Sequence, residues 1–246
     1  MQSGSQVLIG GFIITGTNDK TVLLRAIGPS LTVSGVAGAL IDPILSLFDE
    51  TDNLVTQNDD WRDTQEDDIL ETTIPPADNR ESAIIITLPP SRYTALVVGK
   101  NSTSGIGLVE IYDLEPEVGS ILANISSRGF VGIDNDVLIG GLIIGPDGTS
   151  ANVVLRAMGP SLAASTISGA LQDPILELHN ANGALAAAND NWRDSQQTEI
   201  QAAGLAPPDN RESAIFATLA AGNYTAIVRG RNQTTGVALV EVYRVR

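Results

Sequence analysis

Asn58, Asp59, Asp60 and Asp63 stand close together at the end of an apolar run, and Asn189, Asp190, Asn191 and Asp194 repeat the grouping farther along the chain. Oxygen ligands gathered at a strand end suit calcium, which takes roughly six to eight of them in flexible geometry. The competing role is local, since Asn and Asp side chains shape turns by bonding nearby backbone. Only two carboxylates per group are shared, at 59/190 and 63/194, so a metal site also needs backbone carbonyls or remote ligands. Trp61 and Trp192 follow directly and precede Arg62 and Arg193. An exposed tryptophan there would stack on a sugar ring, whereas a buried one would close one end of a sandwich with its arginine over the ring. With aromatics at 4% of the chain, no second platform residue accompanies either tryptophan, which favours the structural role.

Two further charges interrupt apolar runs. Arg25 and Arg156 must be paired and hydrogen-bonded in such a setting, with Glu81 and Glu212, or Glu110 and Glu241, as candidate partners. A hydrolase would use one of these carboxylates as general acid opposite Asp59 or Asp60. Duplication inside strands points instead to structure. The chain has no cysteine, which removes thiol nucleophiles, thiolate metal sites and disulfides, and its one histidine, His179, has Phe48 as counterpart. No histidine chemistry can be common to both groups.

These residues recur because the chain is one unit written twice. Asp-Asn-Arg-Glu-Ser-Ala-Ile occupies both 78–84 and 209–215, a spacing of 131 residues, and Leu-Arg-Ala-x-Gly-Pro-Ser-Leu recurs at that spacing. In the first copy, residues 6–15, 21–27, 44–49, 54–58, 82–88, 92–99 and 106–114 read as strands bounded by Gly, Pro, Asn or Asp. The pattern predicts an all-β protein of two tandem homologous β-sandwich, jelly-roll-like domains, at 1–115 and 116–246. Leu23, Ile27, Leu45, Leu47, Ile84, Ile86, Leu96, Val98 and Leu108 are expected in the first core. A turn or two of surface helix is expected within 64–72 and 195–203, small-residue loops at 32–40 and 163–171, and a type I′ turn at Asn182-Gly183.

The landmarks Asp42-Pro43-Ile44-Leu45, Asn58-Asp59-Asp60 and Tyr93-Thr94 recur as Asp173-Pro174-Ile175-Leu176, Asn189-Asp190-Asn191 and Tyr224-Thr225, the last preceded by Leu219-Ala220-Ala221-Gly222. In this the chain resembles the bacterial pre-peptidase C-terminal domain, a secreted β-sandwich. The whole unit is also similar to tandem repeats at the ends of large secreted bacterial proteins. The resemblance implies an extracellular or cell-surface location and a repeat architecture more than an activity, and leans toward calcium.

A formal net charge of −15 disfavours nucleic acid and anionic membrane as partners, and no apolar run is long enough to insert in a bilayer. At the 131-residue spacing Met1 aligns with Gly132, so residues 116–131 have no equivalent in the first copy; within them Ile121, Leu122, Ala123, Asn124, Ile125, Phe130 and Val131 belong to a candidate extra strand. The first sandwich is therefore expected to lack its first strand and to expose an edge, unless residues 1–5 cover it. The resulting expectation is a non-enzymatic structural subunit of an extracellular assembly, a head-to-tail homopolymer completed by strand addition. The alternative is a carbohydrate- or ligand-binding accessory module acting through Trp61 and Trp192, with a glycan as partner.

Overall fold

Short runs rich in Val, Ile and Leu, broken by Gly, Pro and Asn, become antiparallel strands in both halves of the chain. The computed structural model describes residues 7–145 and 150–245 and divides into two compact units, Met1–Ala123 and Asn124–Arg246. That division falls a few residues after the expected boundary between 115 and 116, and inside a strand.

In the first unit β1 (Leu8–Thr15), β6 (Arg92–Gly99), β3 (Pro43–Phe48) and β4 (Leu54–Asn58) pair in that order. β2 (Lys20–Ile27) lies between β5 (Ser82–Leu88) and β7 (Leu108–Asp113). The second unit repeats this with β9 (Leu138–Ile144), β14 (Gly222–Gly230), β11 (Pro174–Asn180) and β12 (Leu185–Asn189). Its other strands run β13 (Ser213–Leu219), β10 (Ala151–Met158), β15 (Gly236–Val245) and β8 (Ile121–Val131). Leu142, Leu178 and Val228 from one set of strands pack with Val131, Leu155, Ile215 and Val240 from the other, as the inner faces of a sandwich do. The all-β, tandem-sandwich expectation stands. Gln6, the expected start of the first strand, and residues 1–5 lie outside the described residues.

A short helix in each unit, α1 (Glu66–Glu71) and α2 (Gln197–Ala202), is anchored by one fully buried side chain, Ile69 or Ile200. Ile69 packs with Trp61, Leu23 and Ala83, and Ile200 with Trp192 and Ala214. These satellite clusters cover the faces of β2 and β5, or of β13, that point away from the sandwich core. Burial on both faces explains why β2 buries Val22, Leu23 and Leu24 in succession and shows little alternation.

Four expectations are corrected. On β6 the buried residues are Tyr93, Ala95 and Val97, not Leu96 and Val98, because pairing with β1 sets the opposite phase. Ile86 is half-buried and Leu108 is 41% exposed. Each loop after Gly-Pro-Ser-Leu opens with a 3-10 helix, Pro29–Ser34 or Pro160–Ser165. The Asn182-Gly183 turn is not type I′, since that type needs two left-handed residues and only Gly183 (φ 75°) is one here. The turn spans 180–183, closed by the Gly183 N–H on the Asn180 carbonyl.

The repeat spacing also slips. Phe12 opposes Tyr93 and Leu142 opposes Tyr224, so Leu-Ile-Gly-Gly-Phe-Ile-Ile at 8–14 corresponds to Leu-Ile-Gly-Gly-Leu-Ile-Ile at 138–144, a spacing of 130. Gly10 and Gly140 share one constraint: an added Cβ would meet the side chain of Val109 or Val240 at 2.8 or 3.0 Å.

Candidate functional site

Asn58 and Asn189 hold their turns from inside. Each side-chain amide donates to the carbonyl of Asp60 or Asn191, and each amide oxygen accepts from the backbone of Ala83 or Ala214 at 3.0 Å. These asparagines are thus committed to local structure. Asp59 and Asp60 do come together, and the third carboxylate beside them is Asp42, just ahead of β3; their oxygens lie within 4.8 Å of one another. Asp63 is not one of the three, and its N–H closes a turn on the Asp60 carbonyl. The cation in the first unit is Lys100, whose Nζ is 2.6 Å from Asp59 and 3.9 Å from Asp42.

The second unit pairs Arg231 with Asp190 at 2.6 Å, and Asn191 bonds to Asp194 instead of supplying a third carboxylate. Desolvation first, then the neighbouring Asp59 or Asp190 charge, pushes the Asp60 and Asp173 carboxyls up. A metal at Asp42, Asp59 and Asp60 would have to compete with the Lys100 ammonium already there.

Trp61 and Trp192 are 1% and 2% exposed. Arg62 and Arg193 lie 4.1 and 4.8 Å from the ring centroids, and the Trp61 indole N–H donates to the Asp78 carbonyl. Neither ring offers a face to a sugar, which corrects the reading of Trp61 and Trp192 as a glycan platform.

The buried carboxylates are likewise occupied. Antiparallel register sets Arg25 opposite Glu110 and Arg156 opposite Glu241. Arg25 donates to Glu110, to the Ile74 carbonyl and to the Tyr112 hydroxyl, and Arg156 repeats the pattern with Glu241, Leu205 and Tyr243. Glu81 is fully buried elsewhere. Its carboxylate accepts the Gly28 and Ser30 N–H groups at 3.0 Å, the Ser30 hydroxyl at 2.6 Å and the Asp78 N–H at 3.1 Å. Glu212 does the same for Gly159, Ser161 and Asp209. Gly28 has no room for a side chain, since a Cβ would sit 2.3 Å from the Leu40 carbonyl oxygen. The most strongly repeated motifs thus bracket two distant loops together.

Lys20 is a feature of the first unit alone. Its fully buried ammonium meets both Asp113 oxygens and the Glu115 carbonyl at 2.8 Å, and Glu115 accepts the Thr21 N–H. Sequence reading missed this clasp because nothing in the repeat marks it.

The units differ most at one sheet edge. In the second, β8 pairs along β15 from Asn124 opposite Tyr243 to Val131 opposite Gly236. Of the candidate assembly residues, Ile125 and Val131 join the core, Asn124 is buried with its amide on the Val242 carbonyl, and Phe130 is 49% exposed. Ile121, Leu122 and Ala123 are half-buried. In the first unit β7 pairs with β2, and among the described residues no strand pairs with its other edge. Ile106 is 52% exposed where its counterpart Val237 is 6% exposed, and Val109 and Ile111 are half-buried where Val240 and Val242 are buried.

No family model matches the chain, and no curated protein matches it. Of the resemblance drawn from the sequence, the β-sandwich architecture is what stands. Among solved structures the chain is similar to the major capsid protein P2 of bacteriophage PM2, at 11% identity and a TM-score of 0.26, covering 96% of this chain and 92% of that one. It is also similar to the major capsid protein of Sulfolobus turreted icosahedral virus, at 12% identity and a TM-score of 0.29, covering 100% and 95%. PNGF-II matches at 10% identity and a TM-score of 0.27, covering 99% of this chain and 57% of that one.

Proposed function

We propose that the chain is a non-enzymatic structural subunit of an extracellular or cell-surface assembly, in which subunits join head to tail through strand addition at the open edge of β7. The observation that carries this is the difference between homologous strands: β15 pairs with β10 on one side and β8 on the other, whereas among the described residues β7 pairs with β2 alone. An open edge presents unpaired backbone groups and half-covered apolar side chains, which proteins cover or pair. A contact between unlike surfaces of identical subunits repeats without closing, and the product is a fibre. The candidate catalytic carboxylates are spent on brackets and ion pairs within each unit, consistent with a scaffold.

Sedimentation velocity over a hundredfold concentration range, with negative-stain microscopy of the same samples, tests this reading. Linear particles that lengthen with concentration are expected. Because the net charge of −15 is repulsive between copies, growth should strengthen as salt screens it. A single monomeric species throughout would overturn it.

A further inference from the structure

Side chains close one strand edge in each unit. Among the described residues β5 and β13 each pair with a single strand, β2 or β10, and turn their other edge toward the segment that leads into them, 59–81 or 190–212. The Glu81 carbonyl accepts the Trp61 N–H at 2.9 Å, and the Ala83 N–H donates to the Asn58 side-chain oxygen at 3.0 Å. Ile85 spends both its groups on one glutamine: its N–H donates to Gln65 Oε1 at 3.0 Å, and its carbonyl accepts from Gln65 Nε2 at 2.8 Å. The second unit repeats the series at Glu212, Ala214 and Phe216 with Trp192, Asn189 and Gln196, the glutamine bonds being 3.1 and 2.7 Å. Positions 81, 83 and 85 alternate along one edge, so these are the groups that an added strand would bond. A primary amide offers a donor and an acceptor side by side, as one residue of such a strand does.

We infer that Gln65 and Gln196 are edge locks, each amide occupying the place on β5 or β13 that a strand of a second copy would take. The strands behind them need a guard. Ser-Ala-Ile-Ile-Ile-Thr-Leu at 82–88 and Ser-Ala-Ile-Phe-Ala-Thr-Leu at 213–219 carry no charge and no proline, and uncharged β-forming runs of this length are the ones that associate edge to edge. The usual deterrents, an edge lysine, a proline or a bulge, are missing from both. The two copies also reach the same bonds by different routes. Gln65 meets Ile85 from a backbone at φ −122°, whereas Gln196 meets Phe216 from φ 55°, a left-handed conformation that a residue with a side chain adopts at a cost. The pair of bonds is kept although the backbone beneath it differs.

Each locking segment is anchored separately from its glutamine, by Ile69 against Trp61 or Ile200 against Trp192. Changing the glutamine therefore leaves the anchor in place and frees the edge. The occupant of a freed edge is the same strand of a second copy laid antiparallel, because both partners then present the identical uncharged run. Such a contact is isologous and closes on itself as a dimer. On the reading of the chain as a head-to-tail subunit, the locks keep this dead-end pairing from competing with growth; the lock itself is independent of that reading.

The chain has no cysteine, so Thr87→Cys, at an exposed position of β5, carries a single pyrene label on the full chain. Two β5 edges that pair bring two labels together and give excimer emission, whereas filaments joined at β7 do not. With Gln65 in place, monomer emission alone is expected. Gln65→Ala should add excimer emission that grows with concentration, and should speed exchange of the Ile85 amide at least about tenfold in hydrogen-exchange NMR. Gln65→Glu also loses the bond to the Ile85 carbonyl but leaves a charge at the edge, which deters pairing; it should stay free of excimer. Excimer emission as strong with Gln65 as with alanine would show the edge already open and overturn the lock. An excimer-free Gln65→Ala, or a Gln65→Glu that matches it in excimer emission, would overturn it too. Sedimentation of the same samples separates the two readings: a monomeric Gln65 chain beside an excimer-forming Gln65→Ala removes the homopolymer and keeps the lock, and filaments beside an excimer-free Gln65→Ala do the reverse.

Discussion

Replacing Glu81 by glutamine removes one charge and almost no volume from a fully buried bracket. The carboxylate accepts four hydrogen bonds, three of them on one oxygen from Gly28 and Ser30 and one on the other from Asp78. Glutamine can keep the first three on its carbonyl oxygen, weakened from charge-assisted to neutral. Its NH2 group then faces the Asp78 N–H, donor against donor, and a buried N–H is left unpaired. Hydrogen bonds to a charged group contribute about 1.5–3 kcal/mol and neutral ones about 1. One lost bond and three weakened ones, offset by no longer burying a charge, come to about 2–4 kcal/mol. For a unit of this size about 4 °C is lost per kcal/mol, so the melting transition should fall by roughly 8–16 °C. Differential scanning calorimetry measures it, and Glu212→Gln supplies the control by making the same lesion in the second unit. Midpoints within about 2 °C of wild type for both variants would refute the bracket energetics.

Burial, with the Glu241 charge second, pushes the Tyr243 phenol up to about 12. The unfolded chain gives up this proton near pH 10, so stability should fall as pH rises from about 10 toward 12; urea unfolding should show Tyr243→Phe flattening that decline. The Glu177 carboxylate, and then the Gly183 carbonyl, raise His179 above its ordinary value. A raised histidine contributes stability below its unfolded pKa that fades as pH climbs through the folded one, and NMR titration of the single imidazole should show Glu177→Gln moving it back down. Melting in chelator and in millimolar calcium should agree within about 1 °C, since Lys100 and Arg231 already pair the carboxylates; a rise of several degrees would show calcium displacing them.

The strands were legible because apolar β-formers and turn residues mark them locally, and residues 54–58, 82–88 and 92–99 coincide with β4, β5 and β6. The phase of β6 was not, because its residues are apolar on both faces and only pairing with β1 decides which side is inward. Arg25 was recognisable as a charge in need of a partner. Choosing Glu110 over Glu81 required the register of β2 on β7, which no local signal carries. At the carboxylate cluster Asp59 and Asp60 were visible by proximity, whereas Asp42 and Lys100 arrive from distant segments. The one-residue slip at β1 and β9 was hidden by the strength of the 131-residue match elsewhere, although the Leu-Ile-Gly-Gly strings state it openly.

The bracket has a consequence for how the chain reaches its native state. Glu81 bonds to Gly28 and Ser30 across 53 and 51 residues, and Glu212 repeats those separations. During synthesis the first loop must wait for the residues that fix it, and folding dominated by such long-range closure is slow. Once the whole chain is present, a second copy of the same seven residues stands 131 positions later, equally able to seize the first Gly-Pro-Ser loop. Cross-pairing of that kind is the characteristic misassembly of tandem repeats. Refolding of the full chain from denaturant should therefore recover less native protein than refolding of either half alone, with the deficit unchanged on dilution because both competitors are on the same molecule.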